Sequence, residues 1–187
     1  MAFRGAGMYE MDQYYVERCL DGHPDDFRYL VRRYQGALLA HLAGKLGNKD
    51  NAEEAAQETL VRAYFGMDKL KKPESFFFWL LGIADHVAKE HHRKEQVRQQ
   101  REIIRSFSQE ATSPELSQDY ALESAIAELP EEYRKVVLLR YYASHSCNQI
   151  AESMAMPLGT VTKTLSRAYA MLRQSLQQQQ RAESYKV

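Results

Sequence analysis

Between Asp25 and Leu46 the apolar residues Phe27, Leu30, Val31, Tyr34, Leu38, Leu42 and Leu46 recur at steps of three and four, the spacing of one face of an α-helix. A strand would need alternation, so this stretch commits the chain to packing helix on helix. Gly44 and Gly47 punctuate its end, and Asp50, standing three residues before Glu53, predicts a capping box that opens a second helix running to about Tyr64. Gly66 to Ser75 holds Gly, Asp, lysines and Pro73 and is expected to be a loop. Phe76, Trp79, Leu80, Ile83 and Val87 then predict a third helix reaching about Arg105. Its second half, from Lys89, is mostly charged, His or Gln and should project beyond its core.

Residues 106–120 contain Ser, Gln, Thr and Pro114 with the acids Glu110, Glu115 and Asp119 but no Lys or Arg, a linker composition. Beyond it Leu122, Ile126 and Leu129 mark one helix, and Pro130 opens another through Tyr142. Ser146 and Gln149 form an S-x-x-Q capping box for a helix ending near Met154, and Pro157-Leu158-Gly159-Thr160 leads into a helix from Val161 to about Gln178. The expected fold is therefore all-α: two small helical domains, 8–105 and 121–178, joined by a flexible acidic linker over 106–120, the second containing a helix-turn-helix. Glutamines 177–180 and the polar residues after them lack an apolar stripe, so 179–187 is expected to be a disordered tail.

Twenty-five Lys and Arg balance twenty-five Asp and Glu, which excludes a protein that holds DNA by net charge alone and leaves only local basic faces. With 44% hydrophobic and 27% charged residues and no apolar run near the roughly 20 residues of a bilayer span, a soluble cytoplasmic protein without membrane insertion is expected. Met1 to Tyr9 carries one basic residue and no apolar core, so it does not read as a secretory signal. Cys19 and Cys147 stand far apart without CxxC spacing, which argues against a disulfide framework or zinc motif and for small buried hydrophobes. His86, His91 and His92 with Glu90 invite a metal site, yet adjacent His91 and His92 point about 100° apart on a helix and no HExxH spacing occurs. No GxSxG is present either, so no metal, cofactor or catalytic residue is expected and the chain is read as non-enzymatic.

Two helices joined by a tight turn can place the second in a major groove. Ile150, Ala151, Met154, Val161, Leu165, Ala168 and Leu172 would close the core, leaving Thr160, Thr162, Lys163, Ser166 and Arg167 as candidate DNA contacts or as a plain solvated face. At this point the residues carry a resemblance. Leu129-Pro130-Glu131-Glu132-Tyr133-Arg134, Ile150-Ala151-Glu152, Pro157-Leu158-Gly159-Thr160-Val161 and Leu165-Ser166-Arg167-Ala168 resemble region 4 of the extracytoplasmic-function (ECF) sigma factors. Asp26-Phe27, Leu30, Tyr34, Leu46-Gly47, Ala52-Glu53-Glu54, Gln57-Glu58, Arg62-Ala63, Trp79-Leu80 and Ile83-Ala84 resemble region 2, in the right order from roughly Asp21 to Leu176.

The resemblance implies an alternative sigma factor that binds RNA polymerase core through the β′ clamp helices and the β flap, engages promoter DNA, and is held inactive by an anti-sigma factor. It implies core binding by Glu53, Glu54, Gln57, Glu58 and Arg62. For the −10 element, Lys69, Lys71 and Lys72 can hold phosphates of a single strand, while Phe77 or Phe78 is the expected exposed ring and Phe76 and Trp79 are expected in the core. His86, Lys89, Glu90, His91, Arg93 and Lys94 continue that set, and Arg134, Gln149, Thr160, Thr162, Lys163, Ser166 and Arg167 form the −35 set. His86, Glu90 and His91 depart from the family's usual Asn, Asp and Arg series. Thr162 and Thr164 stand where Lys and Arg are usual, which weakens charge-based grip. Ala155 stands where Gly or Asn usually forms the turn, so that turn is either strained or reshaped. His145 and Cys147 also replace usually apolar or small residues. Two rivals remain: a two-domain regulator that binds DNA without polymerase core, and a helical interaction protein that binds neither.

Overall fold

The computed structural model describes residues 8–102 and 118–184. Its α-helices are α1 (Met8–Leu20), α2 (Phe27–Leu46), α3 (Lys49–Phe65), α4 (Phe76–Glu102), α5 (Gln118–Glu128), α6 (Glu131–Tyr141), α7 (Cys147–Ser153) and α8 (Leu158–Ser184). Short 3-10 turns at Met67–Lys69 and Pro73–Ser75 fill the expected loop between α3 and α4. The bulk of the expected linker lies outside the described residues, and α5 already begins at Gln118.

The periodic stretch forms α2, which buries Leu30, Tyr34, Ala37, Leu38 and Leu42. Gly47, at φ +66°, ends it in a left-handed cap whose N–H donates to Ala43 O, a conformation that favours glycine. The expected Asp50 capping box is corrected: Asn48 is the N-cap of α3, its side chain accepting from Asn51 N at 3.0 Å, and Asp50 lies inside the first turn. Asn48 is extended there, which Asn tolerates well, and its carboxamide oxygen reaches an orphan N–H. α3 turns Ala52, Ala55, Ala56, Thr59 and Ala63 inward. Small side chains on that face let α3 sit close to α2 and α4, and Thr59 returns its hydroxyl to Ala55 O at 2.7 Å.

α1 was not legible from periodicity because a carboxylate interrupts its buried stripe. Asp12 is buried beside Val16, accepting from Arg33 and from the Tyr34 hydroxyl. Burial pushes the Asp12 carboxyl above its ordinary range, and the bonds from Tyr34 and Arg33 oppose that shift. The same contact fixes Tyr34, whose ring stacks on Phe77 with centroids 4.3 Å apart.

In the second block α6 buries Val136, Val137, Leu138 and Leu139. The expected Ser146/Gln149 box is complete: Gln149 N donates to Ser146 Oγ at 3.2 Å and Ser146 N to Gln149 Oε1 at 2.8 Å. α8 faces the core with Val161, Thr164, Leu165, Ala168 and Leu172, so α7, a tight turn and α8 form the helix-turn-helix. The expected disordered tail is corrected over 179–184, where α8 continues to Ser184, since Gln, Arg, Ala and Glu are good helix formers and extend a helix already nucleated by packing; 185–187 lie outside the described residues.

The turn between α7 and α8 keeps its left-handed residue, with Ala155 at φ +51° and Met156 N bonded to Ala151 O at 3.0 Å. An alanine there carries Cβ strain that glycine avoids. Ala155→Gly is therefore expected to raise the unfolding free energy by about 1 kcal/mol in urea denaturation, with the m-value unchanged.

The two blocks pack against each other. α2 contacts α5 and α6 as well as α3 and α4, so the first block's central helix also receives the second block.

Candidate functional site

α3 presents an outward face opposite its alanines. Glu53, Glu54 and Gln57 are exposed, and Lys49 lies 3.8 Å from Glu53. Glu58 and Arg62 are half-buried and tied to α4: Arg62 donates to Glu58 and, at 3.1 Å, to Glu90 Oε1, while His91 Nε2 lies 3.3 Å from Glu58 Oε2. His86 Nε2 is 3.0 Å from Glu90 Oε1. Residues expected at two separate sites, Glu58 and Arg62 for protein and His86, Glu90 and His91 for DNA, thus share one charge network. Hydrogen bonding from Arg62 holds the Glu90 carboxyl below the ordinary carboxylate range, and the guanidinium is shifted upward in turn. Glu90 is already satisfied by cations of its own chain, which offsets the repulsion an acid would offer to phosphates.

Sequence reasoning missed two residues on this face. Val61 is 55% and Phe65 78% exposed, with Tyr64 edge-on to Phe65 at 5.2 Å. The signal was available: Gln57, Val61 and Phe65 follow one another at four-residue steps, diametrically opposite Ala52, Ala56 and Ala63. Exposed apolar side chains beside polar ones mark interaction surfaces more often than isolated ones do.

Between α3 and α4 runs a groove of about 570 Å³ lined by Arg62, Gly66, Lys69, Phe78, Trp79, Gly82, Ile83 and His86. Its floor is aromatic and aliphatic and its rim cationic, a chemistry suited to an unpaired base and its phosphate. Of the two expected exposed rings Phe78 is at this surface, but Phe77 is corrected: it is 1% exposed, stacked on Tyr34 in the core. Phe76 is core as expected, whereas Trp79 is only partly buried and offers an edge to the groove. Lys69, Lys71 and Lys72 are exposed, as are Lys89, Arg93 and Lys94 along α4. His92 instead reaches Lys45 O at 3.1 Å. Among the described residues no group of three or more His, Cys, Asp or Glu is placed to hold a metal ion.

On α8, Thr160, Thr162, Lys163, Ser166 and Arg167 are all exposed at the N-terminal end. Thr162 donates its hydroxyl to Gly159 O at 3.1 Å. Thr164 is corrected: it is buried in the α8 core face, so it is not a recognition position. Gln149 is held in the capping box. Arg134 is also corrected as a DNA contact in this arrangement, being 3% exposed and donating to His41 O at 2.9 Å. His145 is buried, and desolvation lowers its imidazole below the ordinary value of 6.5.

Comparison with known proteins places these features. Residues 30–98 match the family described as Sigma-70 region 2, and residues 119–172 the family described as Sigma-70, region 4. The RNA polymerase sigma-H factor of Pseudomonas aeruginosa is 28% identical over 183 residues, covering 90% of this chain and 95% of that protein. The ECF RNA polymerase sigma factor SigW of Bacillus subtilis is 27% identical over 176 residues, covering 86% and 94%. Among solved structures, the sigma factor RpoE in complex with the anti-sigma factor NepR from Bartonella quintana shares the fold at a TM-score of 0.55 and 22% identity, covering 81% of this chain and 97% of that one. CnrH in complex with the cytosolic domain of CnrY does so at 0.52 and 21%, covering 89% and 97%.

Proposed function

We propose, for a chain that belongs to the sigma-70 family as an ECF RNA polymerase sigma factor, that three surfaces divide the work of promoter recognition. As an alternative sigma factor it directs transcription initiation with RNA polymerase. The outward face of α3, with Glu53, Glu54, Gln57, Glu58 and Arg62 around the exposed Val61 and Phe65, docks on the β′ clamp helices of core. The apolar pair supplies the buried centre and the charges the rim and register, the usual division in a protein interface.

The groove floored by Phe78 and Trp79 receives an unpaired base of the −10 strand, with Lys69, Lys71 and Lys72 and the α4 cations Lys89, Arg93 and Lys94 on its phosphates. The α8 end, with Thr160, Thr162, Lys163, Ser166 and Arg167, enters the major groove at −35. Two cations among five polar contacts make that grip less salt-dependent than a lysine-rich helix would be. Catalysis stays with the polymerase, the chain needs no cofactor, and its place is the cytoplasm; among the described residues no helix is long and apolar enough to cross a membrane. An anti-sigma partner, of the kind that NepR is for RpoE of Bartonella quintana, would act by covering these surfaces.

The observation that carries this reading is the apolar pair on α3 facing solvent inside a polar ring. Transcription of fragmented genomic DNA by core enzyme, with and without the chain, tests it: new discrete RNA 5′ ends sharing −35 and −10 elements are expected only with the chain. Absence of new starts together with absence of core binding would favour a stand-alone regulator. Glu58→Lys reverses a charge and breaks the bridge to Arg62. It is expected to weaken core binding about tenfold, roughly 1.4 kcal/mol. Unchanged affinity in a titration of labelled chain with core removes Glu58 from the interface.

A further inference from the structure

We propose that the groove between α3 and α4 selects its base by the exocyclic amine: Gly82 leaves bare the floor on which the ring lies, and His86, oriented by Glu90, accepts from the amine of cytosine or adenine. The inference rests on the reading of this groove as the seat of an unpaired base and names which bases that seat takes.

Gly82 lies in the middle of α4 and is exposed, where glycine is a poor helix former and alanine would strengthen the helix. The glycines inside α2 have a packing reason to be small. A Cβ at Gly36 would meet Glu123 and one at Gly44 would meet Arg134, at the seam between the two blocks. At Gly82, outside its own stretch of helix, no atom of the protein stands within 4 Å of the place a Cβ would take. Packing therefore does not ask for glycine there, whereas the groove does. Phe78, Gly82 and His86 follow at four-residue steps on one face of α4, and all three line the groove. At a rise of about 1.5 Å per residue Gly82 sits about 6 Å along the axis from each of the other two. The rings on either side bound a flat seat beside Trp79 and Ile83, and a side chain at position 82 would stand where a base lies against the helix.

At the end of that seat the chemistry is set by a tautomer. His86 Nε2 lies 3.0 Å from Glu90 Oε1. Arg62 donates to both oxygens of Glu90, at 3.1 Å to Oε1, which holds the carboxylate ionised and in place. A carboxylate only accepts, so the imidazole proton belongs on Nε2 and Nδ1 keeps its lone pair. That lone pair accepts from the amine at C4 of cytosine or C6 of adenine. Thymine, uracil and guanine carry a carbonyl oxygen at the same corner, where lone pair would meet lone pair. Lys69 on the rim meets phosphate and adds grip without preference. Glu90 and Arg62 are thus positioning residues, acting on the base through His86.

Trp79 is the only tryptophan of the chain and lines the groove, so its fluorescence reports a base stacked there without polymerase or a known promoter. The full chain is titrated at pH 8, where imidazole is neutral, with short oligodeoxycytidine and oligodeoxyuridine, whose bases carry an amine and a carbonyl at C4. Saturable quenching by both is expected, with the cytidine strand bound about tenfold more tightly. Strands of deoxyadenosine and deoxyinosine repeat the comparison at C6 of a purine. His86→Ala should bring the two pyrimidine strands to equal affinity by weakening the cytidine strand. Glu90→Gln keeps the shape but both donates and accepts, so either tautomer is allowed. Whatever the lost charge does to both strands, their ratio should fall to within about twofold. Gly82→Ala and Gly82→Leu, both good helix formers, should weaken both strands stepwise, about tenfold for leucine, with unfolding midpoints no lower than wild type. Equal affinities in the wild type, a ratio preserved in His86→Ala or Glu90→Gln, or undiminished binding by Gly82→Leu each overturn the proposal while leaving the groove a base site. Absence of saturable quenching by any strand removes the groove reading itself, and the proposal with it.

Discussion

Phe77→Ala is expected to lower the unfolding free energy by about 3–5 kcal/mol, whereas Phe78→Ala leaves it within about 0.5 kcal/mol. The two rings are neighbours in sequence and differ only in the direction their helix gives them. Phe77 is fully buried, stacked on Tyr34, and truncation opens a cavity against a residue already pinned by Asp12. Phe78 faces solvent and lines the groove, so its removal leaves the core intact and, on the proposed reading of the groove, is expected to reduce promoter melting instead. Urea denaturation beside permanganate footprinting of promoter DNA with core separates the two. A Phe77→Ala protein as stable as wild type would return Phe77 to the candidate DNA-contacting surface.

Acidification from pH 7 is expected to destabilise the chain progressively, first through histidines and then through seam carboxylates. Desolvation lowers His41, against its bond to Asp85 2.8 Å away, and lowers His145; both ordinarily titrate at 6.5. An imidazole with a depressed folded pKa binds its proton more readily when unfolded, so its contribution is complete above 6.5 and declines as pH falls below it. Burial pushes Asp85 upward, but hydrogen bonds from His41 and Lys135 and the neighbouring Lys45 outweigh it and hold the carboxyl far below its ordinary range. Hydrogen bonds from Lys45 and Lys135 bring Glu131 from 4.5 to about 2.

For these two acids the contribution is complete above the unfolded values and is lost as pH falls through the folded ones, down to about 2 for Glu131. Asp12 works in the opposite sense, since its raised pKa favours the folded state as it protonates, and it offsets part of the loss. Asp85→Asn removes the charge facing Lys45 and Lys135. It is expected to cost about 2 kcal/mol at pH 7 and to flatten the profile below pH 5. Urea midpoints measured from pH 7 to pH 3 for both proteins check it. Parallel profiles would show that Asp85 does not carry the acid limb.

Much of the site was legible because it depends on neighbours in sequence. The exposure of Thr160, Thr162, Lys163, Ser166 and Arg167 follows from the apolar set of the same helix, and the Ser146/Gln149 cap from a three-residue spacing. Val61 and Phe65 were legible too, once read against the alanines opposite them, but an apolar residue in a helical pattern is assigned to the core by default. Thr164 was legible from the same apolar set, three residues after Val161 and four before Ala168, whereas Phe77 and Arg134 were misassigned for a different reason. Each faces a partner supplied by another helix, and nothing within a few residues says which side that helix will occupy.

The amino-acid order by itself determined an all-helical chain, the places where most helices begin and stop, the helix-turn-helix and the family. These follow from backbone hydrogen bonding, caps and the 3.6-residue period, all of which act over one or two turns. Only the tertiary structure decided that α1 closes the first block through Asp12, that Glu58 and Glu90 share Arg62, and that Arg134 lies against His41, 93 residues away in sequence. The period of a helix says which residues share a face but not what that face meets. That is decided by the sum of many weak contacts between helices, and a buried charge or a glycine at a crossing acquires its meaning only from the partner that the sum selects.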